Sequence, residues 1–152
     1  MSKKPSLNLF CILSTLIALP VVSGCATNYL LRNPSQQTVG EGLTLLQMRN
    51  CVRNAAAARD WRIVSDNTGL MQLAYPANPA RARKFEALIQ VRYDAKSYQV
   101  SYLSSRGLGE NRNCAPATKS DDPNARCIHR NVNRWMNNLN VDIYREVMKI
   151  SR

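Results

Sequence analysis

The sequence predicts one α+β domain, in which an N-terminal and a C-terminal helix pack on one face of a four-stranded antiparallel sheet (α-β-β-β-β-α). Three observations support this fold. A helical stretch opens the domain, four short strand segments follow, three of which alternate apolar and polar residues, and a long amphipathic stretch closes it. Alternating strands are typical of an antiparallel sheet with one covered face, and helices cover that face in α+β domains.

The opening helix is predicted over residues 43–60. Leu45, Met48, Val52 and Ala55 recur at steps of three or four residues, and the alanine run that follows is made of strong helix formers. Trp61 closes this helix and leads into the first strand.

Four strands are predicted between the two helices, over residues 62–65, 71–75, 85–93 and 98–102. The third strand has the clearest pattern, because Ile89, Val91 and Tyr93 alternate with Gln90 and Arg92. Turn-forming residues separate the first strand from the second and the third from the fourth, in the sequences Asp-Asn-Thr-Gly and Asp-Ala-Lys-Ser.

The closing helix is predicted from a single apolar stripe that repeats at helical spacing. Its members are Ile128, Val132, Trp135, Leu139, Ile143, Val147 and Ile150. Upstream, Asp122 and Pro123 have the residue types of an N-cap and a first helical position. The long polar loop before them starts near Arg106.

The N-terminal residues predict a secretory signal. Lys3 and Lys4 precede an apolar run over residues 7–22, and the sequence Val-Ser-Gly-Cys that ends at Cys25 is similar to a bacterial lipobox. We therefore expect residues 1–24 to be a lipoprotein signal peptide and Cys25 to be the acylated, palmitate-bearing N-terminus. The alternative is an ordinary signal peptide that is cut nearby and leaves Cys25 as a plain thiol.

Acylation of Cys25 would place the protein in the bacterial cell envelope, because several acyl chains hold a protein stably on a membrane. Ala26, rather than Asp, follows the cysteine, which favours the outer membrane with the domain facing the periplasm. Residues 25–40 have a polar composition that predicts a flexible tether. Residues 41–152 then form a single domain.

The chain is strongly basic, with a net charge of +11 that becomes +9 once the two lysines of the signal are removed. This charge indicates a protein partner or an anionic envelope component, such as a lipid headgroup, lipopolysaccharide or an acidic polymer, and secretion argues against nucleic acid. The alternative is a basic surface that only sets solubility. The candidate basic surface consists of Arg81, Arg83, Lys84, Arg106 and Arg112.

Three cysteines remain after Cys25 and the signal are set aside. Cys114 and Cys127 flank a polar loop, and the periplasm is oxidising, so we expect a disulfide between them. Cys51 lies in the opening helix and would be a buried apolar residue. A zinc site made of these cysteines and His129 lacks the paired ligand spacing of such sites, so no metal and no cofactor is expected.

Several of these residues also form a longer pattern: Trp61, Gly69, Met71, Ile89, Val91, Tyr93, Tyr98, Val100, Tyr102, Ser105, Ile128, His129, Asn133, Trp135, Asn138 and Leu139. The pattern resembles a group of small bacterial lipoproteins of unknown function, and its most specific part is the helix Ile-His-x-x-x-Asn-x-Trp-x-x-Asn-Leu. The chain departs from the pattern at Asp60, where Gly is usual, and at Val132, where an aromatic residue is common. The resemblance implies the fold and the location and no activity.

His129 is the only histidine, and no nucleophile or carboxylate is spaced to act with it. We expect His129, Asn133 and Ser105 to form a structural hydrogen-bond network, with Trp135 as a core residue. No phosphate-binding loop, nucleophile elbow or carboxylate pair is present in the sequence. The sequence therefore predicts a non-enzymatic, lipid-anchored binding protein, and the alternative is a small periplasmic enzyme or sensor that uses His129.

Overall fold

The computed structural model describes residues 28–40, 42–112, 114, 122 and 124–151, and this part of the chain is an α+β domain of three helices and two sheets. The expected signal peptide and Cys25 lie outside the described residues. The elements are β1 (Asn28–Leu30), β2 (Gln37–Thr38), α1 (Leu45–Ala58), β3 (Arg62–Asn67), β4 (Leu70–Tyr75), α2 (Pro79–Ala82), β5 (Glu86–Tyr93), β6 (Ser97–Arg106), β7 (Cys127–His129) and α3 (Arg130–Ile150).

The main sheet is antiparallel and has five strands, in the order β2-β6-β5-β4-β3. The four predicted strands correspond to β3, β4, β5 and β6. The expectation of one four-stranded sheet was wrong, because β2 adds a fifth strand beside β6 and because β1 and β7 form a separate two-stranded sheet. These added strands are two or three residues long, too short to show an alternating pattern in the sequence.

The segment 28–40 is part of the folded domain, which corrects the expectation of a tether that extends to residue 40. The side chain of Asn133 donates a hydrogen bond to the Leu30 carbonyl (2.8 Å) and accepts one from the Arg32 amide (3.1 Å). The side chain of Asn33 accepts a hydrogen bond from the Tyr102 amide at 2.8 Å. Polar side chains therefore hold this segment through long-range bonds to the backbone, which composition does not reveal.

The core lies between the main sheet and the helices α1 and α3. Met71, Val91 and Val100 are aligned across β4, β5 and β6, and all three are fully buried. Helix α1 begins at a capping box formed by Thr44 and Gln47. Cys51 is a free, buried thiol on the inner face of α1, as predicted, and burial raises its pKa.

Helix α3 begins later than the sequence predicted. The expected N-cap, Asp122, instead accepts a hydrogen bond from the Asn124 amide (2.8 Å), and Pro123 lies outside the described residues. The N-cap is His129, whose Nδ1 accepts a hydrogen bond from the Asn131 amide at 3.3 Å. The reason for the difference is β7, which pairs with β1 and places Ile128 in a strand rather than in the helix.

The inner face of α3 consists of Val132, Met136, Leu139, Ile143 and Val147, all fully buried. Three members of the predicted stripe differ, since Ile128 lies in β7, Trp135 is only partly buried and Ile150 is 44% exposed. Met136 belongs to the inner face but was not in the predicted stripe. No helix in the described ranges combines the length and the apolar character needed to span a bilayer.

The predicted disulfide between Cys114 and Cys127 is confirmed, with the two Cα atoms 5.4 Å apart. It joins residue 114 to β7, just before α3. The backbone of Asn111 also exchanges two hydrogen bonds with the backbone of Cys127, at 2.8 and 3.0 Å. The disulfide and these bonds together fix the start of the loop next to the two-stranded sheet.

Candidate functional site: an aromatic and arginine cleft

The structure does not bring the three members of the predicted polar network together. His129 caps α3, while Asn133 binds the backbone of residues 30 and 32. Within the described part of the chain, no hydrogen bond joins either of them to Ser105, so the three side chains have separate structural contacts. The sequence predicted that the three residues lie on neighbouring elements, but it could not predict the directions of their side chains.

Ser105 belongs to a different group, centred on the carboxylate of Glu110. This carboxylate accepts hydrogen bonds from the hydroxyls of Tyr102 (2.5 Å) and Ser105 (3.5 Å) and from the Arg126 guanidinium (2.8 Å). Arg126 also lies over the Tyr102 ring, at 5.2 Å from its centroid. Burial, and secondly the bond to Glu110, raise the pKa of Tyr102. Ser105, Glu110 and Arg126 line a cavity of about 550 Å³, but the Glu110 carboxylate is already engaged by protein groups.

The candidate basic surface is only partly available to a ligand. The Arg106 guanidinium donates hydrogen bonds to the carbonyls of Ala82 (2.6 Å) and Arg83 (2.9 Å), so Arg106 closes the end of α2. The side chain of Arg81 forms an ion pair with Asp60 at 3.3 Å. The side chains of Arg83, Lys84 and Arg112 are exposed and have no acidic partner among the described residues.

Four aromatic rings from separate elements meet beside Arg81. The Tyr75 ring, at the end of β4, lies 5.3 Å from the Trp61 ring and 4.3 Å from the Trp135 ring, measured between centroids. The Phe85 ring stacks on Trp135 at 5.9 Å. The Arg81 guanidinium lies over the rings of Tyr75 (5.7 Å) and Phe85 (5.9 Å), where cation–π attraction holds it.

The end of α1 directs Trp61 into this cluster. Asp60 follows the helix with φ at 60°, in the left-handed region, and the Trp61 amide donates to the Ala56 carbonyl at 3.0 Å. This is the six-to-one hydrogen bond of a Schellman motif, whose left-handed position usually holds glycine. Here Asp60 occupies that position, and Asp tolerates this conformation better than most residues other than glycine.

Three of the rings form the wall of an open cleft of about 310 Å³. The cleft is lined by Arg59, Trp61, Tyr75, Arg134, Trp135 and Asn138. Both tryptophans of the protein line it.

The two arginines of the cleft differ in how they are held. The Arg59 Nε donates to Asp142, which also accepts from Arg145 at 2.9 Å. The bond from Arg59 is the largest cause that lowers the pKa of Asp142. Arg134 is exposed, and in the described structure neither its guanidinium nor the Asn138 amide has a hydrogen-bond partner. The cleft therefore presents a fixed cation, a free cation and a free amide beside aromatic rings.

The chain matches no protein-family model, no curated protein and no solved structure to a significant degree. Across the described ranges, no three His, Cys, Asp or Glu side chains are grouped closely enough to hold a metal ion.

The sequence interpretation missed Tyr75, Arg59 and Arg134 as parts of a site, and it treated Trp135 as core. The available signal was weak. Arg134 lies next to Trp135, and Arg59 lies two residues before Trp61, so each tryptophan has a nearby arginine. Only the packing of α1, β4 and α3 shows that these pairs face the same cleft.

Proposed function

We propose that this chain is a non-enzymatic, lipid-anchored protein of the bacterial outer membrane that faces the periplasm and binds an anionic saccharide of the cell envelope in the aromatic and arginine cleft. The observation that carries this proposal is the free guanidinium of Arg134, which lines the cleft together with the rings of Trp61, Tyr75 and Trp135. The lipobox at Cys25 and the resemblance to small lipoproteins support the location.

The lining of the cleft matches the chemistry of an acidic sugar. Aromatic faces bury the apolar face of a sugar ring, and a few polar groups fix its orientation. A planar guanidinium binds carboxylate or phosphate in a two-point geometry, as Arg134 is free to do. The Asn138 amide can both donate to and accept from hydroxyl groups.

The charge of the cleft argues against quaternary ammonium groups, which aromatic walls also bind. Aromatic cages bind quaternary ammonium groups through cation–π attraction. Here Arg134 contributes a positive charge with no acidic partner in the described structure, Arg59 is paired with Asp142, and none of the lining residues is acidic. A cation would therefore be repelled, whereas an anion would be attracted.

The two tryptophans provide a direct test, because both line the cleft and any occupant should change their fluorescence. The full-length protein in detergent micelles is titrated with an oligogalacturonate and with its methyl ester, which has the same rings and no charge. We expect a fluorescence change with the acid and a much weaker response to the ester. Equal responses to both would contradict a site for an anion.

A matched pair of variants locates the binding site. Arg134→Gln should weaken binding of the oligogalacturonate by about ten-fold or more, because a hydrogen bond to a charged group contributes roughly 1.5–3 kcal/mol. Arg92→Gln removes an exposed arginine from β5 and should leave the affinity unchanged. Equal losses in the two variants would indicate attraction to the overall charge and not a site.

The anchor is tested separately at Cys25. Cys25→Ser should leave the precursor unprocessed and without labelled palmitate in cells. A variant that is still processed and still sediments with membranes would contradict the lipoprotein assignment.

A further inference from the structure

The described domain begins very close to the proposed anchor. Asn28 lies three residues after Cys25, and an extended chain spans at most about 3.6 Å per residue, so Asn28 lies within about 11 Å of the anchored residue. Asn28 is not loose, because it pairs with His129 in the two-stranded sheet and its side chain donates to the Gly109 carbonyl at 2.8 Å. An acyl anchor at Cys25 would therefore hold this end of the domain against the bilayer.

The surface around Asn28 is basic and aromatic. Tyr29 is 42% exposed on β1. Arg112 follows Asn111, which bonds to β7, and Arg130 follows His129, the strand partner of Asn28. The side chains of Arg112 and Arg130 are exposed and form no ion pair in the described structure.

We propose that Tyr29, Arg112 and Arg130 form a membrane-contact surface that rests on the anionic headgroups of the bilayer that holds the lipid anchor. The proposal rests on the lipid anchor of the proposed function. Tyrosine favours the membrane interface, and arginines near an anionic leaflet are attracted to it within a Debye length of about 8–10 Å.

This orientation also places the candidate cleft. Arg134 lies four residues after Arg130 on α3, which is a rise of about 6 Å along the helix axis. The cleft would therefore open near the headgroups. Tyr144, which is exposed to the same extent as Tyr29 at 42%, lies fourteen residues after Arg130 and about 21 Å farther along the helix.

The test compares these two tyrosines in the full-length acylated protein. A fluorescent amino acid replaces Tyr29 in one variant and Tyr144 in the other, and each protein is reconstituted in phosphatidylglycerol vesicles that carry a nitroxide quencher on a lipid headgroup. We expect quenching at position 29 to be several-fold stronger than at position 144. Equal quenching at the two positions would overturn the proposal.

Charge reversal then tests the role of the arginines. In the protein labelled at position 29, Arg112→Glu combined with Arg130→Glu should reduce quenching. A high salt concentration should also reduce quenching in the labelled protein that keeps both arginines. The control pair, Arg92→Glu with Lys96→Glu, changes two exposed cations elsewhere on the domain and should have no effect. Quenching that is insensitive to both the reversal and salt would overturn the headgroup contact.

Failure of the anchor gives a different result from failure of the contact surface. If the protein does not float with vesicles and the Cys25 peptide carries no acyl group by mass spectrometry, the proposed lipid anchor is wrong and the contact surface fails with it. If the acylated protein floats and the two labels are quenched equally, the anchor stands and only the contact surface is wrong.

Discussion

The attachment of the N-terminal segment to α3 gives the sharpest test of the structure. Asn133→Ala removes two hydrogen bonds, one to the Leu30 carbonyl and one from the Arg32 amide. At about 0.5–1.5 kcal/mol each, their loss should weaken the local attachment by about 1–3 kcal/mol. The amide of Leu31, which donates to the Arg126 carbonyl at 2.7 Å, lies between the two bonds and reports this change.

Amide hydrogen exchange measures the effect. A loss of about 1–3 kcal/mol corresponds to exchange about 5-fold to 150-fold faster at Leu31. Asn137→Ala is the control, since Asn137 lies one turn further along α3, is exposed, and makes no hydrogen bond in the described structure. Both variants gain the same helix propensity from alanine, so this gain cancels in the comparison. Equal exchange rates at Leu31 in the two variants would refute the reasoning.

Three further predictions concern the free energy of unfolding in urea. Cys114→Ser should lower it by about 3 kcal/mol, the value expected for a loop of this size, and a change below about 1 kcal/mol would contradict this. Leu139→Ala, at a fully buried position, should cost about 2–5 kcal/mol, whereas Val141→Ala, at an exposed position of the same helix, should change it by less than about 0.5 kcal/mol. The pKa values of Asp66 and Asp142 are lowered chiefly by hydrogen bonds from arginines. These two carboxylates therefore stabilise the folded state fully above the unfolded pKa of about 3.9. This contribution to the free energy of unfolding is lost as the pH falls through the folded pKa values. Asp66→Asn and Asp142→Asn should each reduce the fall in the free energy of unfolding at acidic pH. An unchanged pH dependence would contradict the role of these ion pairs.

The polar interactions of this protein show where sequence reasoning stops. The sequence singled out His129, Asn133 and Ser105 as structural polar residues, but the structure gives each a different partner. A polar side chain can bond to any backbone group in its reach. The choice between partners depends on the positions of β1, β7 and the loop after β6, which no local pattern contains.

Local patterns in the sequence were sufficient to predict several elements. Period-two alternation gave β4, β5 and β6, helical periodicity gave the core face of α3, and the spacing of the cysteines gave the pairing of Cys114 with Cys127. The strand and helix signals depend on neighbours a few residues apart, and the disulfide follows from two cysteines that flank one loop, so these signals were visible in the sequence alone.

Long-range packing sets three other features: the fifth strand, the folding of segment 28–40 into the domain, and the candidate cleft. The cleft combines Trp61 after α1, Tyr75 at the end of β4 and Trp135 on α3. Each of these aromatic residues also has the sequence pattern of an ordinary core residue. The distances between them are set by strand register and by the packing of the helices on the sheet, and contacts between residues so far apart in the chain leave no periodic signal in the sequence.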